Sequence, residues 1–368
     1  MFNKIVAIFA GWALRFFISS NEPAAQNKAE GTSASPDGSA AFTHGYFFEA
    51  GQPFAQCHAS TILYLQNGMY MAAWFGGTKE GRDDVGIWLT KGRPGNWSKP
   101  VEIAKIRNDA HWNPVLFQSP EGRIFLFFKV GKKIPFWETW VKTSEDNGQT
   151  WSEAKELVPG DKGGRGPVRN KPVMLSNGAW IAGASNENGD WNAFADISKD
   201  GGKTWKASDY IKLDRLKLKG RGVIQPTLWE SAPGKVHMLL RSTDGAIYRA
   251  DSEDYGETWS DGYKTNLLNP NSGIDLTKLP DGTLVLAYNP DTANSHPRTP
   301  LSLAISFDNG KTWPKILDID SGNNKEEFSY PGIISHGDTI AVSYTWKRQK
   351  IAYWTGTKEE LIKAAKNR

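Results

Sequence analysis

One eight-residue pattern returns every 54 residues through most of this chain. It reads Ser144-x-Asp146-x-Gly148-x-Thr150-Trp151, and returns from Ser198 to Trp205, from Ser252 to Trp259 and from Ser306 to Trp313. One period earlier, Thr90 to Trp97 keeps the hydroxyl and the Trp but has lost the Asp. A fixed period of this length marks a fold built by repetition of one supersecondary unit. The residues of the pattern have a local logic. Ser and Asp side chains hydrogen-bond the backbone of a tight turn, Gly takes a left-handed conformation, and Trp packs beneath.

Between these turns a second grammar recurs: an apolar stretch, a turn containing Gly, and another apolar stretch. Six such segments are present: TILYLQNGMYMAAWF, PVLFQSPEGRIFLFF, PVMLSNGAWIAGA, PTLWESAPGKVHMLL, IDLTKLPDGTLVLAY and GIISHGDTIAVSY. Strand-length apolar runs at this period predict an all-β, six-bladed β-propeller of four-stranded antiparallel blades. The 37 Gly and 16 Trp suit many short strands joined by tight turns. The stapled turns close blades one to five, and the sixth hairpin ends short of a full period. Residues Phe42 to Phe48 are expected to supply its missing strand, leaving no open edge.

The propeller is expected over residues 42–356. A short helix is expected over 357–368, where Thr357-x-x-Glu360 forms a capping box. Residues 1–20 carry Lys4 and an apolar run from Ile5 to Leu14, too short to span a bilayer and suited to a signal peptide or N-terminal anchor. Residues 21–41 are small and polar and read as a flexible linker. The expected location is therefore outside the cytoplasm: periplasmic, cell-surface or secreted. The net charge of +4 is spread without a basic cluster, which argues against a nucleic-acid partner. Cys57 is the only cysteine, so no internal disulfide and no cysteine-based zinc site can form. No motif calls for an organic cofactor, and no metal cluster is evident. Gly163-Gly164-Arg165-Gly166 lacks the Lys-Ser/Thr that a phosphate loop needs.

The stapled turn is the Asp box, and from about Phe42 to Thr355 the chain resembles the neuraminidase (sialidase) family. The resemblance implies a pocket on the propeller axis that takes a carboxylated sugar. It further implies three arginines for the carboxylate, an Asp as acid/base, and a Tyr activated by a Glu as nucleophile. Arg241 in HMLLRSTDGAIY stands where the family has its second arginine, and Arg298 in HPRTPLSLAIS where it has its third. Tyr330 in EFSYPGII stands at the nucleophile, and Asp84 in EGRDDVGIW at the acid/base, with Asp83 beside it. Two positions depart from the pattern. His58 occupies the place of the first arginine, and Gln225 that of the activating Glu. Gln cannot take a proton, so another carboxylate is needed for that step, with Glu327, Glu187 and Glu80 as candidates.

The hairpin ends that converge on the axis supply further polar candidates: Lys171, Asn113, Asn289 and Arg348 for sugar hydroxyls or the carboxylate, with Trp112 as a stacking face. The expected partner is a glycan or glycoconjugate. Three activities fit these residues: an exo-acting glycoside hydrolase of sialidase type, a lyase on uronate-containing glycans with His58 and Tyr330 as base and acid, and a non-catalytic carbohydrate-binding propeller.

Overall fold

The computed structural model describes residues 42–367. The expected leader and linker, residues 1–20 and 21–41, lie outside the described residues. Six antiparallel sheets follow one another around a closed ring, the β-propeller that the repeat implies. Blades one to five run in chain order from Gln56 to Asp320. Blade six takes three strands, Phe328–His336, Thr339–Trp346 and Lys350–Thr357, from the chain's end and a fourth, Thr43–Tyr46, from the start of the described residues. That fourth strand pairs antiparallel with the third, Thr43 opposite Thr355 and Tyr46 opposite Ala352.

Each blade buries both faces against its neighbours, which explains why the second strands read as unbroken apolar runs. Tyr70–Gly77 and Ile124–Val130 are buried at every position. The apolar core is accordingly six separate clusters, one in each gap between consecutive blades. The gap between blades six and one, for example, is filled by Phe47, Trp74, Trp97 and Tyr353.

The stapled turns join the third and fourth strands of their blades. In the turn of blade two, Asp146 accepts from the backbone N–H of Thr150 at 2.9 Å and from its hydroxyl at 2.6 Å. Ser144 accepts from Gly148 N–H at 2.8 Å. After blade six a helix, Lys358–Ala364, starts at a capping box made by Thr357 and Glu360 and buries Leu361. The residues beyond it, Lys366–Asn367, add a short edge to blade five against Lys315 and Ile316. The helix expected over residues 357–368 therefore stops at Ala364, because the chain beyond it pairs with blade five.

Candidate functional site

Four of the six innermost strands break register at the same level. The breaks fall between His58 and Thr61, Trp112 and Val115, Ile224 and Thr227, and Ser329 and Gly332. At each break one residue takes a left-handed backbone: Ala59 (φ 57°), Asn113 (φ 40°), Gln225 (φ 54°) and Tyr330 (φ 53°). Non-glycine residues rarely adopt this conformation, and a bulge re-aims the side chain it carries. Pro114, Pro226 and Pro331 follow three of them and cannot donate to a strand ladder. The repeat therefore delivers Asn113, Gln225 and Tyr330 at one level of the ring.

Tyr330 is the centre of the resulting cluster. Arg241 Nη1 donates to its hydroxyl oxygen at 2.6 Å. The guanidinium carbons of Arg169 and Arg298 each lie 5.3 Å from its ring centroid, and that of Arg241 lies 5.5 Å away. The imidazole of His58 packs against the same ring at 4.1 Å between centroids. Gly273 leaves room for it, since a Cβ there would come within 3.2 Å of the ring.

The charges of this cluster do not cancel. Glu327 accepts from Arg298 Nη1 at 3.0 Å, from Arg348 Nε at 2.8 Å and from Ser329 Oγ at 2.6 Å. Burial alone would raise the Glu327 carboxyl, but the Arg348 hydrogen bond and the charges of Arg348 and Arg298 hold it well below the usual range. Glu80 also pairs with Arg348. Burial works against the charged form of Arg348, yet its bonds to Glu327 and Glu80 hold its proton more firmly than usual. Arg241 is different. It is 6% exposed, and the side chains it hydrogen-bonds are neutral: Asn271 Oδ1 at 2.8 Å, Gln225 Oε1 at 3.0 Å and Tyr330. Its guanidinium also lies over the Trp191 ring, 5.7 Å from the centroid. Arg169, 1% exposed, donates to the Pro331 carbonyl at 2.7 Å and leaves its Nε without a partner. Burial pulls Arg169 down to about 10. A buried cation surrounded by neutral dipoles is an incomplete ion pair, and an anionic ligand completes it.

His58 is buried and held neutral, first by desolvation and then by the charge of Arg348. Its Nδ1 lies 2.9 Å from Thr345 Oγ1, and Arg348 Nη2 approaches Nε2 at 3.4 Å. Both ring nitrogens thus face protein groups.

Tyr330, Arg241, Arg298, His58, Gln225 and Arg348 come together around the axis, although they derive from blades one, four, five and six. Asp84 lies in the exposed loop after the first hairpin. It accepts from Thr78 N–H at 2.8 Å and from Thr78 Oγ1 at 3.0 Å. The same loop carries Glu80 to Arg348 and lays Gly81 against the Trp112 ring. Three other candidates spend hydrogen bonds on the framework. Asn113 Nδ2 donates to the Val168 carbonyl at 3.1 Å, tying blades two and three. Asn289 Nδ2 donates to the Pro300 and Phe328 carbonyls at 2.9 and 2.8 Å. Lys171 pairs with Asp275 at 2.9 Å and donates to the Leu276 carbonyl.

Arg169 was not among the expected site residues, although Lys171, two positions on, was. The recurring X-Pro step offered a signal: aligning Lys171-Pro172 with Asn113-Pro114 and Tyr330-Pro331 places Arg169 at the axial end of blade three. Glu187 is half-buried. Its Oε1 is shielded from solvent without a hydrogen-bond partner, and burial raises its carboxyl against the pull of Arg241, Arg221 and Lys129.

Residues 68–342 match the family described as BNR repeat-like domain. The chain belongs to the BNR-repeat, Asp-box family of sialidase type. A sialidase of Paraclostridium sordellii is 24% identical over 263 residues, which cover 59% of this chain and 63% of that protein. A sialidase of Bacteroides fragilis (strain YCH46) is 26% identical over 200 residues, covering 49% of this chain and 35% of its own. The chain therefore spans less than two thirds of the length of either relative. Among solved structures, a Hadza microbial sialidase superposes with a TM-score of 0.73 at 16% identity, over 87% of this chain and 69% of its own. At that identity the likeness establishes the shared propeller, and the chemistry of this family member rests on its own residues.

Proposed function

We propose that this BNR-repeat protein is an exo-acting glycoside hydrolase of sialidase type, releasing a terminal carboxylated sugar from glycans. The observation that carries the reading is Arg241: a buried cation with neutral hydrogen-bonding side chains, one of which is the hydroxyl of Tyr330. A carboxylate bound to Arg241, with Arg298 and Arg169 beside it, places the adjoining anomeric carbon near the Tyr330 oxygen. Tyr330 bonds to that carbon as its phenolic proton leaves to water, a carboxylic acid protonates the departing oxygen, and water then displaces the tyrosine, to which a proton returns. Asp84 is assigned this second role from its family position, and Glu187 is the alternative supported by its raised carboxyl. The names of the two curated relatives support the same reaction class.

The uronate-lyase reading requires His58 to abstract a ring proton. The contacts of both His58 nitrogens with Thr345 and Arg348 weigh against it. Incubating the full chain with a fluorogenic sialoside and, in parallel, with uronate-containing polysaccharides separates the readings. The hydrolase reading expects fluorescence that is lost in Tyr330→Phe. Near-ultraviolet absorbance growth lost in His58→Ala identifies a lyase, and silence in both channels identifies a binding module. We further take the protein to be exported, on the apolar run near its start. Recovery in the cytoplasmic fraction of expressing cells would count against that.

A further inference from the structure

The strand that carries Arg241, Lys235–Ser242, holds a second polar cluster near its other end. His237 precedes Arg241 by four residues and so lies about 13 Å away along the strand. Ser231 Oγ is 2.7 Å from His237 Nε2, and His237 Nδ1 is 2.5 Å from Asp251 Oδ1. Arg249 Nε and the Tyr263 hydroxyl hold the same carboxylate at 2.9 and 2.8 Å. Burial alone would raise Asp251, but hydrogen bonds from His237, Tyr263 and Arg249 hold it well below the usual range. Arg249 Nη2 also approaches Nδ1, at 3.1 Å; with the imidazole proton on Nδ1, donated to Asp251, the Nε2 lone pair faces the Ser231 hydroxyl and the Asn309 amide. His237 is 6% exposed, whereas Ser231 is exposed.

Asn309, from the stapled turn of blade five, completes the arrangement. Its Oδ1 accepts from Trp229 Nε1 at 2.7 Å, which fixes the amide so that Nδ2 meets His237 Nε2 at 3.1 Å. A cavity of about 780 Å³ opens between blades four and five beside these groups, lined also by Lys235, Tyr263, Lys264 and Trp313.

We propose that Ser231, His237 and Asp251 form a second active centre, a serine-hydrolase site for small carboxylic esters of polyhydroxylated molecules. The aromatic and lysine lining of the cavity suits such an alcohol. Ser231 Oγ bonds to the carbonyl carbon as its proton passes to His237 Nε2, and the carbonyl electron pair moves onto the oxygen as an oxyanion. The C–O bond to the alcohol then breaks, and the alkoxide leaves with the proton from His237. Water attacks the acyl-serine and gives a proton to His237. Release of the carboxylic acid returns that proton to Ser231.

The test incubates the full chain with a fluorophosphonate, which forms an Oγ–P bond to an activated serine as fluoride leaves, and maps the adduct by mass spectrometry. Release of p-nitrophenolate from p-nitrophenyl acetate is followed in parallel. One adduct per chain at Ser231 is expected, absent from Ser231→Ala, with ester turnover falling about 100-fold or more in that variant. The exposed position of Ser231 lets the variant fold, and an unchanged melting temperature checks this. No adduct at Ser231, or ester turnover unaffected by Ser231→Ala, overturns the proposal and leaves the cluster as a lock between two blades. Because the readout is an acyl ester and not a sialoside, failure here is distinct from failure of the glycosidase reading.

Discussion

Gln225 and Tyr330 share one nitrogen of Arg241: Nη1 donates to Gln225 Oε1 at 3.0 Å and to the Tyr330 oxygen at 2.6 Å. Gln225 thus orients the cation that touches Tyr330, and in the proposed hydrolase it offers no site for the proton that Tyr330 would lose on attack. Gln225→Glu places a base at that position. Its sialoside kcat is expected to rise about tenfold or more, and Tyr330→Phe to lower kcat about 100-fold or more. Steady-state kinetics on a fluorogenic sialoside decide both, and a Gln225→Glu variant no faster than the parent removes proton acceptance from the account.

Glu327 neutralises two cations from different parts of the chain, Arg298 and Arg348. Glu327→Gln leaves both without a charged partner at this point, a loss of about 3 kcal/mol by analogy with broken buried pairs. Because the folded carboxyl lies well below its unfolded value, its contribution is present above the ordinary Glu range and is lost as pH falls through the folded value. Urea titrations are therefore expected to show a lower midpoint for the variant at pH 7, with the gap narrowing in strong acid. Equal midpoints at pH 7 would show that the pairs contribute nothing to stability.

His111 is held neutral by burial, with Nε2 accepting from Ile106 N–H at 2.9 Å, while the Asp109 carbonyl 2.9 Å from Nδ1 pulls the other way. Burial pulls its imidazole down to about 4. In the unfolded chain it takes up a proton near pH 6.5, so folding stability is lost as pH falls between about 6.5 and 4, by about 3 kcal/mol. His111→Gln is expected to be less stable at pH 7 and to show a shallower decline over that interval. Denaturant midpoints at pH 7 and pH 4.5 measure it, and parallel declines in the two proteins exclude His111 as the cause.

Gly183 lies where blade three packs on the backbone of blade four beside the site. A Cβ there would fall 2.3 Å from the Pro226 carbonyl oxygen, so backbone has to move. Gly183→Ala is expected to cost about 1–3 kcal/mol as overpacking. It also displaces the Gln225–Pro226 step that Asn170 Nδ2 holds through two carbonyls at 3.1 Å. Thermal melting and sialoside kinetics are expected to fall together, and an unchanged melting temperature would mean that the blades part without cost.

Much of the architecture was written locally. The 54-residue period, the Ser-Asp-Gly-Thr-Trp turns and the apolar hairpins act over a few residues each, through turn hydrogen bonds and strand pairing. Reading them therefore sufficed for six blades and for the strand ends that reach the axis. Tyr330, Arg241, Arg298 and His58 were singled out by resemblance to the sialidase family at the ends of those hairpins. Their polar neighbours were harder to assign, because an Asn or Lys that anchors a carbonyl looks the same in sequence as one that meets a ligand. Asn113, Asn289 and Lys171 illustrate this, with hydrogen bonds committed to the framework.

The sequence by itself determined the repeat, the blade count and the axial placement of the principal side chains, because turn chemistry and hydrophobic patterning are short-range. Only the closed ring decided which charges meet. Arg348 reaches Glu80 across 268 positions, and Arg169 packs on Tyr330 from three blades away in the chain. Ser231 finds Asp251 through His237, and Asn309 joins them from the next blade. Such encounters depend on how consecutive sheets pack and twist around an axis, which no local pattern encodes, and the balance of buried charge around Tyr330 follows from them.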